Sequence, residues 1–163
     1  SAFTPGILTN NEIQCIAEDK NQRIWVGTFE GINIIDKRNF TIKALDNEFV
    51  KKERINSIIC DKDGYIWVGT STVGIIRINP ETLEFERYST DSNSKYKIQG
   101  NNITNLYLDK SNRIWISSWR KGLSYIDLNK KKVVHTGSVG ANDNPFRVFQ
   151  DKDGLFWICI WQL

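Results

Sequence analysis

Four copies of one short unit organise this chain. Asp61-Lys62-Asp63-Gly64-Tyr65-Ile66-Trp67-Val68-Gly69-Thr70 reads as a tight polar turn followed by a short strand that carries a Trp. Asp19-Lys20-Asn21-Gln22-Arg23-Ile24-Trp25-Val26-Gly27-Thr28 is the first copy, and Asp109-Lys110-Ser111-Asn112-Arg113-Ile114-Trp115-Ile116 the third. Asp151-Lys152-Asp153-Gly154-Leu155-Phe156-Trp157-Ile158 is the fourth. Asp always stands six residues before the Trp and Lys five before it, and the Trp residues follow one another at 42, 48 and 42 positions. A period of that length marks supersecondary units that bury their apolar faces only by stacking on one another.

Each unit extends into the same order of short apolar segments. Before the turn lies a strand A: Ile13 to Glu18, Ile55 to Cys60, Ile103 to Leu108 and Phe146 to Gln150. Apolar residues stand six and three positions before the Asp (Ile13 and Ile16, Ile55 and Ile58, Ile103 and Leu106). A spacing of three suits a helix, but the segments are too short for one, and β-branched residues with turns on both sides favour strand. The Trp lies on strand B, where Ile24, Val26 and Thr28 face one way and Trp25 and Gly27 the other. A large ring beside a small residue (Gly27, Gly69, Ser117, Cys159) suits closely stacked sheets. A Gly-containing turn leads to strand C (Ile32 to Asp36, Ile75 to Asn79, Leu123 to Leu128), and a polar turn to strand D (Phe40 to Ala44, Glu84 to Ser89, Val133 to Thr136).

Four short antiparallel strands per repeat, with one aromatic each, describe a β-propeller blade. The expectation is an all-β chain: a β-propeller fragment of about three and a half four-stranded antiparallel blades in a single domain over 1–163. The blades fall at 13–44, 55–89, 102–136 and a half blade at 146–163, with 1–12 the end of a preceding blade. Propellers close with about four to eight blades. Three and a half leave two sheet faces uncovered, so either the native protein continues beyond both ends or two copies meet. The absence of any Met also reads as a piece of a larger protein.

The 163 residues, 40% hydrophobic, can bury one domain-sized core. A net charge of +3 does not suggest a nucleic-acid partner, and no apolar run suggests membrane contact by this chain. Cys15, Cys60 and Cys159 lack a Cys-x-x-Cys pair or a His cluster and read as buried free thiols, and the lone His135 reads as a strand residue. No metal, cofactor or catalytic residue is expected. The Asp-Lys-Asp-Gly turns lack the distant Glu of a calcium loop, and read as β-turns whose Asp bonds its own backbone while Gly or Asn takes φ > 0. Lys20, Lys62, Lys110 and Lys152 read as solvated turn residues.

The pattern from Ile55 to Ile75 (Asn-x-Ile-x-x-Ile-x-x-Asp-x-x-Gly-x-Ile-Trp-Val-Gly-Thr-x-x-x-Gly-Ile across the copies) resembles the two-component regulator propeller repeat. The resemblance covers nearly the whole chain. It implies the extracytoplasmic, periplasmic sensor region of a hybrid two-component regulator in the inner membrane, one that responds to glycan-derived oligosaccharides. It also implies a transmembrane segment, a histidine kinase and a response regulator further along the full protein, while the uncovered sheet faces lead to the expectation of self-association or neighbouring blades as partners. Gln22 and Asn112 depart from the turn Gly, Ser117-Ser118 and Cys159-Ile160 from Gly-Thr.

Blade topology places all four Asp-Lys turns on one end and the variable B–C and D–A loops on the other, where binding is expected. The anchors of the repeat are Trp25, Trp67, Trp115, Trp157, Asp19, Asp61, Asp109 and Asp151. The candidate ligand-binding cluster is Trp119, Arg120 and Lys121 beside Lys95 and Tyr96: an aromatic face can stack on a sugar ring and Arg can fork onto a carboxylate or sulfate. The alternative for Trp119 is packing under the next blade, as for Phe29 and Trp161. Lys130-Lys131-Lys132 falls on the opposite end and reads as solubilising. The competing functional classes are a protein–protein or dimerisation scaffold without a small-molecule site, and a propeller lyase or hydrolase.

Overall fold

A computed structural model describes residues 7–137 and 144–161. Every regular element in them is a strand, and the strands form four sheets. The first blade is β1 (Ile13–Glu18), β2 (Arg23–Thr28), β3 (Gly31–Asp36) and β4 (Thr41–Ala44), in sequential antiparallel order. The second is β5 (Ile55–Cys60), β6 (Ile66–Thr70), β7 (Ile75–Ile78) and β8 (Phe85–Ser89), with a further strand β9 (Tyr96–Lys97) added parallel to β8. The third is β10 (Ile103–Leu108), β11 (Arg113–Ser118), β12 (Gly122–Asp127) and β13 (Lys132–Gly137). The last is the pair β14 (Asn144–Gln150) and β15 (Phe156–Trp161). Strand limits agree with the sequence reading to within one or two residues, and β9, inside the D–A loop that joins the second blade to the third, was not foreseen. The strand expected to end a preceding blade falls mainly on residues outside the described ones, and residues 7–12 carry no strand.

Successive blades meet along β1, β5, β10 and β14, which makes these the inner strands. Each inner strand slips register against its partner at one point: between Ile13 and Cys15, Ile55 and Ser57, Ile103 and Asn105, Pro145 and Arg147. This is a β-bulge, one extra residue on the inner strand, and it explains the spacing of three. With Gln14 extra, Ile13 pairs with Thr28 and Ile16 with Val26, so residues three apart share a face.

The packing between blades follows from that face. A Cβ at Gly27 would lie 2.6 Å from Ile55 Cγ2, and one at Gly69 2.8 Å from Ile103 Cγ2, so the leading Ile of each blade rests on the Gly of the blade before. Trp25 and Trp67 are completely buried beside it. Ile55 and Ile103 are fully buried too, each contributing about 1.5–3 kcal/mol of transfer free energy. Trp115 is half-buried against Phe156 and Tyr125, while Trp157 and Trp161 are exposed because no described blade covers β15. Cys159 is exposed for the same reason, which corrects its reading as a buried thiol. His135 lies on β13 as expected.

Candidate functional site

The repeated turns are built alike in all four copies. The Asp Oδ1 accepts the backbone N–H groups two and four residues on: Asn21 and Arg23 for Asp19, Asp63 and Tyr65 for Asp61, Ser111 and Arg113 for Asp109, Asp153 and Leu155 for Asp151. The Oδ2 accepts the indole N–H of the Trp six residues on, at 2.8–2.9 Å in each copy. The residue three after the Asp takes positive φ whether it is Gly64, Gly154, Gln22 or Asn112. Both oxygens of each of these carboxylates are thus engaged within its own blade.

The turn lysines are not merely solvated. Lys20 Nζ donates to the backbone carbonyl of Lys62, Lys62 Nζ to that of Lys110 (3.2 Å), and Lys110 Nζ to that of Lys152 (2.7 Å). Each blade thus reaches the same atom of the next, a contact that only the repeat geometry could reveal. This end of the blades is a structural seam.

The opposite end holds a concave mouth of about 300 Å³ where all four inner strands converge. The bulged positions Gln14, Asn56, Thr104 and Phe146 line it, together with Arg54, Ser71, Asn102, Trp119 and Arg147. The bulge is what aims these side chains, since an extra residue turns its side chain out of the sheet's alternation. Arg54 stacks on Phe29, 4.3 Å from the ring centroid, and its Nη2 donates to Gln14 Oε1 at 3.2 Å. Asn56 Nδ2 donates to Ile103 O at 2.8 Å and to Ser71 Oγ at 3.2 Å, and Thr104 Oγ1 donates to Pro145 O at 2.9 Å. Trp119 is half-buried, its backbone N–H held by the Asn102 carbonyl at 2.9 Å. Among the described residues of the lining, Arg54 and Arg147 carry the charge and there is no carboxylate. Nearby Cys15 is kept inert: burial, only partly offset by the Gly27 N–H, pushes its thiol up to about 12.

The structure divides the cluster expected from the sequence. Trp119 lines the mouth. Arg120 sits exposed at a turn with φ 58° and gives its backbone N–H to Asn144 Oδ1, and Lys121 lies against Gly100. Lys95 and Tyr96 belong elsewhere, in a cleft of about 380 Å³ between blades two and three, because β9 carries them back alongside β8. Lys131 and Lys132, read as solubilising, line that same cleft, whereas Lys130 pairs weakly with Asp127 at 3.9 Å. Sequence reasoning missed the bulged residues. The signal was present: an apolar spacing of three inside a strand, with Gln14, Asn56 and Thr104 at the position after the first Ile.

Comparison with known proteins agrees with this architecture. The two-component regulator propeller family matches residues 7–30, 51–72 and 97–120, each covering an inner strand and its whole partner. Histidine kinase P4 of Formosa agariphila is 32% identical over 144 residues, which is 82% of this chain and 10% of that protein. The extracellular domain of a hybrid two-component system of B. thetaiotaomicron superposes with a TM-score of 0.77 at 20% identity, covering 93% of this chain and 22% of that one. A second such domain from the same organism gives 0.73 at 23% identity, covering 94% and 22%. The chain therefore spans about a tenth of the curated relative and about a fifth of these solved chains.

Proposed function

The chain belongs to the two-component regulator propeller family, whose repeats build its blades, and on that premise we propose that it is part of an extracytoplasmic sensor that binds glycan-derived oligosaccharides at the mouth of the propeller axis. The observation that carries this reading is the composition of the mouth: two aromatic side chains, two arginines and several amides and hydroxyls, contributed by four blades on the end where the loops vary. Trp119 can stack on the apolar face of a sugar ring, Asn56 and Gln14 can meet hydroxyls, and Arg54 and Arg147 can fork onto an acidic substituent. In this reading the chain recognises, and chemistry resides in a kinase elsewhere in a longer protein. The periplasmic side of an inner membrane is the corresponding location. Calorimetric titration of oligosaccharides against the chain, alongside Trp119→Ala and Arg54→Ala, tests it. Binding that both variants retain in full removes the mouth as the site.

A second reading has an observation of its own. Ile13 and Ile16 of β1 and Phe149, Trp157 and Trp161 of the β14–β15 pair expose apolar surface at the two ends of the blade series. Such surface marks an interface. We infer that further blades or a second copy cover it, and that ligand binding is coupled to this contact. Sedimentation velocity of the chain tests the second-copy form: a monomer at high concentration rules it out.

A further inference from the structure

The cleft between blades two and three is built differently from its counterpart between blades one and two. Among the described residues, blade two alone carries an extra strand, β9, which lays Tyr96 flat on Tyr88 with ring centroids 4.4 Å apart and planes 12° apart. Tyr88 in turn tilts onto Trp67, so one wall of the cleft is aromatic. Ile126, Leu128 and Val133 of blade three form the facing wall. The volume of about 380 Å³ lies at the lower end of the range of small-molecule pockets, roughly 300–1,000 Å³.

Its charges are unbalanced once the pairs are removed. Asp61 is engaged by the Trp67 indole and the turn amides, and Glu86 by Arg77 Nη1 at 2.8 Å. Asp61 and Asp63 then stand with Lys95, Lys131 and Lys132, an excess of one positive charge, and none of these lysines holds an ion pair among the described residues. Arg77 lies 3.5 Å over the Tyr65 ring, and its Nε is buried without a hydrogen-bond partner. A buried donor without a partner in a pocket of excess positive charge calls for an acceptor from outside.

We propose that this cleft is a second binding site, separate from the axial mouth, for a sugar ring that bears a carboxylate or sulfate. The ring lies between the tyrosine wall and the aliphatic wall, and the anionic group meets Lys95 and Lys131 at the rim. Apolar walls alone accept neutral rings as well, so the lysines supply the selectivity for charge.

The test uses the chain with four probes: glucuronic acid, glucosamine 6-sulfate, neutral glucose and inorganic sulfate, followed through backbone amide shifts. The two acidic sugars are expected to move the amides of Tyr96 and Lys131, and glucose is not. The pair Lys95→Glu and Lys131→Glu, both at the surface, lowers the acidic-sugar affinity read at the Tyr96 amide by about tenfold or more without changing the melting temperature. Equal binding of glucose, unchanged affinity in the lysine variants, or still amides at Tyr96 and Lys131 overturns the proposal. Inorganic sulfate binding as tightly as glucosamine 6-sulfate overturns it too, because the aromatic wall then contributes nothing.

Discussion

The indole N–H of Trp67 donates to Oδ2 of Asp61 at 2.8 Å, across a side-chain pair in which the ring is fully buried. Oδ1 of the same carboxylate holds the N–H groups of Asp63 and Tyr65. One residue thus fixes the turn and orients the ring that packs against the next blade, which is why Asp and Trp keep their separation of six through every copy.

Replacing Asp61 by Asn is expected to cost about 2 kcal/mol, because an amide has one oxygen for three donors and must point its NH2 at the indole or the turn. Urea unfolding measures it. A variant as stable as the parent would show that the shared carboxylate is dispensable.

The glycine two residues after Trp25 and after Trp67 is a packing requirement. Gly27→Ala places its Cβ 2.6 Å from both Cys15 Sγ and Ile55 Cγ2, so the two blades must part. The expected destabilisation is about 1–3 kcal/mol, readable as a lower urea midpoint.

At the matching place in blade three stands Ser117, whose hydroxyl is buried with no partner. Ser117→Ala removes an unpaired polar group at little change of volume and is predicted to stabilise by about 1 kcal/mol. A loss of stability would mean that this hydroxyl bonds after all.

Acid should weaken the fold through these carboxylates. For Asp19 and Asp109, burial pushes the pKa up, but the Trp indole, the backbone N–H groups and the neighbouring Arg together hold it below its ordinary value. For Asp151 the Trp157 indole leads in lowering it. A depressed carboxyl stabilises the fold above its unfolded pKa, about 3.9, and that stabilisation is lost as pH falls through the lower folded values. Urea midpoints should therefore drop steeply as pH falls below about 4. Asp109→Asn, which cannot titrate, should start lower at neutral pH and drop less.

The fold was largely legible because its information is local and repeated. The Asp turn, the Trp strand and the small residue after it recur in register, and the blade count followed from them. What stayed hidden depends on pairs far apart in the chain. Lys62 looked solvated because its partner, the carbonyl of Lys110, lies a whole blade away. Tyr96 was grouped with Trp119 because both sit in or beside variable loops, yet pairing of β9 with β8 is a non-local event that moves it to another cleft. The bulge stood between these extremes: the spacing of three between Ile55 and Ile58 announced it, and only the register of β5 on β6 gave its meaning.

The most direct test of the sensor reading follows the indole N–H signals during titration with glycan-derived oligosaccharides. Trp119 at the mouth is predicted to shift in proportion to occupancy, while Trp25 and Trp67, fully buried and bonded to Asp19 and Asp61, stay in place. Saturating ligand with an unmoved Trp119 signal, or no binding by any oligosaccharide, would contradict it.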